Sequence, residues 1–133
     1  LQHYSGILGL GAATQYLKKI GMNNIQKHEQ ELTKTITEGL LDIKGFRLYG
    51  PLDPKQRGGI TTFSIKGINH HDIALTLNSH HNIMVRSGAH CVHSWFNKHK
   101  IEGSVRASTY LYNTQEEAKE FVKAVKDVVN MLK

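Results

Sequence analysis

The chemistry of this chain centres on its single cysteine, Cys91, because the neighbouring residues are able to activate a thiol. It ends the run Arg86-Ser87-Gly88-Ala89-His90-Cys91, in which a glycine turn has a cation on one side and an imidazole on the other. A thiol reacts as its thiolate, and nearby positive charge favours that form. Arg106 follows in a second strand-like run, and its planar guanidinium matches a carboxylate with two parallel hydrogen bonds. One thiol, one histidine and two arginines therefore indicate nucleophilic chemistry on an anionic substrate.

Each of these residues also has a structural interpretation. A free cysteine is most often a small apolar filler, so Cys91 could simply be buried in the core. An arginine in a strand is costly to bury unless it is paired, so Arg106 and Arg86 could each form an internal ion pair with one of the 11 acidic residues. The neighbouring His90 is expected to orient or polarise the thiol. We take Cys91 and His90 as candidate catalytic residues, and Arg106 and Arg86 as candidate substrate-binding residues.

The 9 histidines raise a metal-binding interpretation, because several of them are neighbours. They include the pairs His70-His71 and His80-His81, and His90 and His93 on either side of the cysteine. Three ligands within four residues would have to curl around one ion, which differs from the paired ligand spacing of zinc sites. The first pair opens a predicted helix, where solvated or capping roles fit better. We therefore predict no metal site.

Composition and charge limit the classes of function. With 133 residues the chain has the size of one domain, and it carries 17 Lys and Arg against 11 Asp and Glu. The basic residues are scattered, with no run longer than Lys18-Lys19, whereas a nucleic-acid footprint clusters on one face. No apolar stretch approaches the length of a membrane span. We expect neither a nucleic-acid nor a membrane partner.

Cysteine usage and the first residue bear on where the protein works. A single cysteine excludes an intramolecular disulfide and every C-x-x-C metal or redox motif. This fits a reducing compartment, so we expect a cytoplasmic protein. The sequence starts at Leu1 rather than at a methionine, which indicates a processed or cut piece of a longer chain.

Periodicity predicts the elements that position the candidate residues. Apolar residues at helical spacing cover about 4–20, 23–44, 70–79 and 115–132, and β-branched or aromatic runs predict strands at about 46–49, 59–65, 83–85 and 103–108. One helical turn is predicted at 92–96. Asn69 can cap the helix at 70–79, and Thr114 and Glu117 form a capping box before the last helix. This order predicts an α+β fold, with a small mixed or antiparallel sheet and helices packed mainly on one face.

The first predicted helix is unusual because its start contains Gly6, Gly9 and Gly11. Each glycine weakens an isolated helix by about 1 kcal/mol relative to alanine. Glycines in this position are favourable only where another backbone packs closely, so we predict a helix at a tight interface. A phosphate-binding loop is not indicated, because the glycine spacing differs from the dinucleotide motif and no strand precedes it.

The motif around Cys91, with Arg106 at the matching distance, resembles the C-terminal region of cysteine desulfurases. More narrowly, it resembles the group with the motif R-x-G-x-H-C, which serves sulfur mobilisation for iron–sulfur clusters. The resemblance covers nearly the whole chain. The other matching segments, in order, are Gly6-Ile7-Leu8-Gly9-Leu10-Gly11-Ala12-Ala13, Asn23-Asn24-Ile25, Leu48-Tyr49-Gly50-Pro51, Gly67-Ile68-x-x-His71-Asp72, Val105-Arg106-Ala107-Ser108 and Tyr110-Leu111-Tyr112-Asn113-Thr114.

The resemblance implies an enzyme of the class V aminotransferase kind, with the pyridoxal-phosphate fold of type I. Such enzymes act as homodimers and have a large cofactor-binding domain and a small C-terminal domain. Residues 1–133 would be the small domain alone, and residues 1–20 would begin the inter-domain helix. The large domain with its Schiff-base lysine would be absent, because the surroundings of Lys98 and Lys100 do not resemble the cofactor-lysine motif. Pyridoxal phosphate is therefore expected on the full-length protein and not on this piece.

The resemblance also implies roles for the candidate residues in desulfuration of L-cysteine. Arg106 would hold the substrate α-carboxylate, and the Cys91 thiolate would attack the substrate sulfur, leaving a persulfide and releasing L-alanine. His90 would help acid–base steps or loop order, and Arg86 would hold the loop and supply positive field. The sulfur would pass to an acceptor or scaffold protein for iron–sulfur cluster assembly. This piece alone is expected to be inactive.

The sequence departs from the commonest form of the motif at Ala89, where many relatives carry a second histidine, and in the segment 92–96. Neither difference affects the thiol or Arg106. One alternative is a selenocysteine lyase or another class V enzyme that lacks persulfide chemistry. Alternatives of a different class are a stand-alone thiol or metal-binding module and a partner-binding module.

Overall fold

A computed structural model describes residues 2–133, and its elements follow the order that the sequence predicts. The helices are α1 (Tyr4–Ile20), α2 (Met22–Leu40), α3 (His70–His81), α4 (His93–Lys98) and α5 (Gln115–Met131). The strands are β1 (Phe46–Leu48), β2 (Ile60–Ile65), β3 (Arg86–Gly88) and β4 (Ser104–Ser108), and a 3-10 turn lies at Pro54–Gln56. This set of elements confirms the predicted α+β class.

The strands form one four-stranded sheet in the order β1-β2-β4-β3. All three neighbouring pairs are antiparallel, which settles the mixed-or-antiparallel prediction. β4 is central, so Arg106 has a strand neighbour on each side, Thr62 on β2 and Arg86 on β3. β3 lies at the edge and pairs with β4 over three residues.

Alternation along β2 and β4 places the main core on one face of the sheet. Phe63 and Val105 point to this face and are fully buried. Three helices cover it with apolar side chains that include Leu32 and Ile36 of α2, Ile73 and Leu77 of α3, and Phe121, Val125 and Val128 of α5. Full burial of one such side chain stabilises the fold by about 1.5–3 kcal/mol. The sheet is therefore held firmly from one side, and its other face carries Thr62 and Arg106.

The short helix α4 packs on that other face. Its Phe96 is buried, and its Trp95 packs edge-on against Tyr49, with ring centroids 6.1 Å apart. The Tyr49 hydroxyl is hydrogen-bonded to Ser64 Oγ at 2.9 Å. Ser64 follows the core residue Phe63 on β2, so its side chain projects from the other face of the sheet. Since Tyr49 contacts both Ser64 and Trp95, α4 lies on the face opposite the main core. The helices thus lie mainly, but not entirely, on one side of the sheet.

Both helix caps near the loops of the site form as the sequence predicts. Asn69 Oδ1 accepts a hydrogen bond from the backbone N–H of His71 at 2.7 Å, at the start of α3. Before α5, Thr114 Oγ1 accepts from the backbone N–H of Glu117, and a Glu117 carboxylate oxygen accepts from the backbone N–H of Thr114. The capping box is therefore confirmed.

Two element boundaries differ from the prediction. β3 starts at Arg86, whereas the sequence predicts a strand at 83–85. Ile83 and Val85 pack against the core while Met84 is exposed, which explains the strand-like alternation at 83–85. Pairing with β4, however, begins only at Arg86. α2 ends at Leu40 rather than near residue 44. The apolar stripe continues beyond the helix, because Ile43 stays buried in the following turn.

Helix α1 differs from the other long helices because it has no buried residue. At Gly9 and Gly11, apart from the adjoining residues and the backbone of the same helix, no atom lies within 4 Å of the position that a Cβ would take. The tight interface predicted from these glycines is therefore not formed by residues 2–133. The same described range contains no helix that is both long and apolar enough to cross a bilayer.

Candidate active site around Cys91

Cys91 lies in a tight loop with an unusual backbone. Gly88 has φ 113°, and His90 and Cys91 have left-handed φ values of 51° and 63°. A left-handed residue other than glycine costs about 1–2 kcal/mol, so contacts must hold this conformation. A hydrogen bond of 2.9 Å from the Val92 N–H to the Ala89 carbonyl closes the loop. The Cys91 side chain is exposed, so the interpretation of this cysteine as a core filler is wrong.

The residue that contacts the thiol is Arg86. Its Nη2 lies 3.2 Å from Cys91 Sγ, within hydrogen-bonding distance for a sulfur acceptor. A hydrogen bond from a charged donor is stronger than one from a neutral donor. Arg86 makes this contact from an exposed position on the edge strand, so the positive field and the hold on the loop that the resemblance implies for it stay predictions.

Arg106 lies directly opposite Arg86 in the strand register and projects on the same face of the sheet. It is half-buried, and its Nε is buried without a hydrogen-bond partner in the described part of the chain. The ion pairs found among residues 2–133 involve surface lysines, and neither arginine takes part in them. The alternative of internal ion pairs is therefore not what this part of the chain forms. Two guanidinium groups therefore face each other across β3 and β4 without a carboxylate partner among residues 2–133.

His90 turns away from the thiol and into the protein. Its Nε2 is hydrogen-bonded to Ser104 Oγ at 2.9 Å, and its ring packs against Phe96 with centroids 6.1 Å apart. Burial lowers the pKa of His90 below its ordinary value of 6.5, and the charges of Arg106 and Arg86 lower it further. His90 is therefore a neutral imidazole near pH 7. Within the described residues its hydrogen bond goes to Ser104 rather than to Cys91, so the structure does not join it to the thiol that it was expected to polarise.

Ser104 is the residue of this site that sequence analysis missed. It is fully buried, begins β4 and lies opposite Gly88. Strand alternation puts it on the same face as Arg106, two residues further along, and this spacing was the signal available in the sequence. Its contact with His90 could not be inferred, because it depends on how the Cys91 loop folds back on the sheet.

Two more histidines support the same region from the first turn of α3. His71 Nδ1 is hydrogen-bonded to Ser87 Oγ at 2.8 Å. Burial lowers the pKa of His70, whose ring lies against Gly103 just before β4. In the part of the chain that the structure describes, no three His, Cys, Asp or Glu side chains come together as a metal site. The metal-binding alternative therefore finds no ligand set there.

The fold brings an exposed thiol into contact with Arg86 and sets Arg106 opposite Arg86 on the neighbouring strand. Residues 2–121 match the family model described as aminotransferase class-V. This match covers most of the chain, and the chain belongs to that family.

Several relatives within this family are similar over nearly the whole chain. A probable cysteine desulfurase from Pyrococcus abyssi is 38% identical over 128 residues, which are 96% of this chain and 31% of the relative. A probable cysteine desulfurase from Halalkalibacterium halodurans is 39% identical over 113 residues, which are 85% of this chain and 27% of the relative. The chain thus spans about a third or less of the length of these proteins.

Solved structures agree with this similarity. The apo structure of a cysteine desulfurase from Thermococcus onnurineus superposes with a TM-score of 0.90 at 38% identity, over 98% of this chain and 32% of that one. The cysteine desulfurase CsdA from Escherichia coli, in an S-sulfonic acid form, gives a TM-score of 0.89 at 25% identity, over 100% of this chain and 32% of that one. The architecture described above therefore matches about a third of each of these solved chains.

Proposed function

We propose that residues 1–133 are the C-terminal small domain of a cysteine desulfurase, which transfers sulfur from L-cysteine to Cys91 as a persulfide and releases L-alanine. The observation that carries the proposal is Arg86 Nη2 at 3.2 Å from Cys91 Sγ, with Arg106 directly opposite Arg86. The names of the relatives support it, since the similarity extends across the segment that holds all three residues.

Arg106 binds the α-carboxylate of the substrate in this proposal. Its guanidinium is planar and offers a fork of donors, which fits two parallel hydrogen bonds to a carboxylate. The Nε of this fork is buried and has no partner among residues 2–133, so a ligand oxygen would satisfy it. Arg86 adds a second positive charge from the adjacent strand. An amino acid is favoured as substrate because its carboxylate is anionic at neutral pH.

Cys91 is the nucleophile. Its anionic sulfur attacks the sulfur of the substrate cysteine, so a bond forms between the two sulfur atoms while the substrate Cβ–S bond breaks. The electron pair of the broken bond stays with the carbon fragment, which takes up a proton and leaves as L-alanine. The persulfide remains on Cys91 until a thiol acceptor receives its outer sulfur. Arg86 stabilises the attacking sulfur before the bond forms.

Pyridoxal phosphate is the cofactor that this proposal requires, because it supplies an electron sink for bond cleavage in amino acids. The residues described here do not hold it by themselves. Lys98 and Lys100, the lysines nearest to Cys91 in the sequence, are both exposed. The free donors of the site belong to arginines placed for the substrate carboxylate. We therefore assign the cofactor-binding residues to another part of the full-length protein.

The same proposal covers the assembly of the full-length protein. Helix α1 has no buried residue and leaves Gly9 and Gly11 open, as expected for a helix that packs on a neighbouring domain. We assign residues 1–20 to the start of an inter-domain helix on that basis. The protein would act as a cytoplasmic homodimer and pass sulfur to an acceptor or scaffold protein for iron–sulfur cluster assembly, as the resemblance implies.

Turnover by the full-length protein, loaded with pyridoxal phosphate, tests the proposal. L-cysteine is supplied with dithiothreitol as sulfur acceptor, and alanine and sulfide are measured together. Wild type should release them in equal amounts, and Cys91→Ser should release neither. Ser94→Ala, an exposed hydroxyl deletion on α4, is the matched control and should behave as wild type. Sulfide release by Cys91→Ser at the wild-type rate would overturn the proposal.

Two further measurements separate the alternatives. If Cys91→Ser abolished sulfur release but kept selenium release from selenocysteine, a selenocysteine lyase would be the better assignment. The 133-residue chain alone, given L-cysteine and pyridoxal phosphate, should form no persulfide on Cys91, which mass spectrometry detects. Persulfide formation by this chain at the rate of the full-length protein would contradict the assignment of the cofactor site to another domain.

A further inference from the structure

The conformation of the Cys91 loop requires an anchor, because two consecutive non-glycine residues have left-handed backbones. The turn bond between Val92 and Ala89 lies within the loop and cannot fix its position on the sheet. Arg86 is exposed and sits on the three-residue edge strand, so its contact with Cys91 is not a firm support. Among residues 2–133, the side-chain hydrogen bond that ties the left-handed part of the loop to the buried part of the sheet is the one between His90 and Ser104.

Ser104 is well suited to serve as this anchor. It is fully buried and starts the central strand β4, which pairs with both β2 and β3. Arg106 lies two residues further along β4 on the same face. The strand that carries the candidate carboxylate ligand therefore also holds the loop that carries the candidate nucleophile. A rigid strand linking these groups fixes the separation between the sulfur of Cys91 and the bound carboxylate.

The state of His90 fits a supporting role. Its imidazole is held in the neutral form by burial and by two neighbouring arginines. A neutral imidazole has one donor and one acceptor nitrogen, and a serine hydroxyl can pair with either. The ring also packs edge-on against the buried Phe96. The His90 ring is thus held by Ser104 on one side and by Phe96 on the other. Because Cys91 is the next residue, the position of His90 sets the direction of the backbone at Cys91.

We infer that Ser104 is a positioning residue for Cys91, acting through His90. The hydrogen bond between His90 Nε2 and Ser104 Oγ holds the left-handed pair His90 and Cys91 so that the thiol points outward to Arg86. His90 then serves as a structural link and takes no proton during the reaction. The turnover readout of this inference rests on the proposed desulfurase function, whereas the chemical readout on the thiol does not.

The test uses the full-length protein with Ser104→Ala and Ser104→Thr. Loss of the hydroxyl leaves a buried nitrogen without its partner, so kcat for L-cysteine with dithiothreitol should fall about tenfold. KM should stay within about twofold of wild type, because Arg106 is untouched. Alkylation of Cys91 by iodoacetamide, without substrate, should slow because the thiol moves away from Arg86. Ser104→Thr keeps a hydroxyl and should restore most of both rates.

Two other variants keep the test decisive. Ser108→Ala removes a hydroxyl from the exposed end of β4 and should leave both rates unchanged. His90→Phe removes the hydrogen bond but keeps a ring against Phe96, so it should match Ser104→Ala, and the double variant should be no worse than either single one. His90→Phe also carries the test if Ser104→Ala does not fold.

Three results would overturn the inference. Ser104→Ala could fold and keep wild-type kcat and alkylation rates. His90→Phe could lose activity while Ser104→Ala does not, which would make His90 an acid–base group in its own right. Ser104→Ala could raise KM alone, which would assign Ser104 to substrate binding. If the wild-type protein does not turn over L-cysteine at all, the proposed function fails, and the alkylation rates alone then decide the role of Ser104.

Discussion

Arg86 and Arg106 occupy directly opposed positions on neighbouring antiparallel strands, β3 and β4. Like charges in directly opposed positions on neighbouring strands destabilise a sheet. Neither arginine takes part in an ion pair within residues 2–133. The pair therefore carries a repulsion, and the carboxylate binding proposed above would relieve it.

Replacing Arg106 tests the carboxylate contact. Arg106→Gln in the full-length protein should raise KM for L-cysteine by about 10–100-fold, the range expected when hydrogen bonds to a charged group are lost. Arg106→Lys keeps the charge but not the fork of donors, so it should raise KM for L-cysteine by less than Arg106→Gln does. Arg47→Gln is the control, because it removes one exposed charge from β1. Equal effects of Arg106→Gln and Arg47→Gln on KM would show that charge alone matters.

Replacing Arg86 tests the activation of the thiol. Arg86→Gln removes the charged donor 3.2 Å from Cys91 Sγ, so alkylation by iodoacetamide at pH 7 should slow by about tenfold. Added salt should slow the wild-type reaction less than this substitution does, because the contact is direct. Lys98→Gln removes an exposed charge from the end of α4 and serves as the control. The contact has no chemical role if Arg86→Gln and Lys98→Gln react at the same rate.

The two partly buried histidines, His70 and His90, predict how stability depends on pH. Burial lowers the pKa of His90 and of His70 in the folded state, so below their ordinary value of 6.5 the unfolded chain takes up protons more readily than the folded one. The contribution of the two histidines to the free energy of unfolding is therefore complete above pH 6.5. It is lost as the pH falls from 6.5 towards their lowered folded-state pKa values. Urea unfolding of the 133-residue chain at several pH values measures this. As the pH falls below 6.5, the free energy of unfolding should decrease more steeply for wild type than for His90→Phe. Parallel plots of the free energy of unfolding against pH for the two proteins would contradict the prediction.

Glycine substitutions test the packing around β2 and along α1. A Cβ at Gly59 would overlap the carbonyl oxygen of Thr109, so Gly59→Ala should destabilise the chain by about 1–3 kcal/mol.

Gly11 has open space, so Gly11→Ala should stabilise the isolated chain by about 1 kcal/mol. Denaturant unfolding measures both. In the full-length protein Gly11→Ala should instead destabilise, because the added methyl group meets the neighbouring domain. Equal stabilisation in both forms would contradict the assignment of α1 to an inter-domain interface.

Local sequence was sufficient for most of the elements. Helical spacing, the Asn69 cap and the Thr114–Glu117 capping box depend on residues within one or two turns of each other, so they were predicted correctly. The C-terminal end of α2 and the start of β3 were predicted wrongly. Ile43 and Ile83 pack against the core outside these hydrogen-bonded elements, so the apolar pattern extends further than the elements do. The family relationship was also readable from the sequence, since it rests on the order and spacing of motifs along the chain. The roles assigned to Cys91 and the arginines stay predictions that the experiments above address.

The types of residue at the site were available in the sequence, but their contacts were not. Strand alternation placed Arg106 away from Val105 and Ala107, yet only the pairing of β3 with β4 set Arg86 opposite it. The sequence suggested His90 as the neighbour of the thiol because the two residues are adjacent. The left-handed backbone at His90 and Cys91 sends one side chain inward to Ser104 and the other outward to Arg86. Such backbone angles are unfavourable locally, so long-range contacts select them, and those contacts exist only in the folded chain.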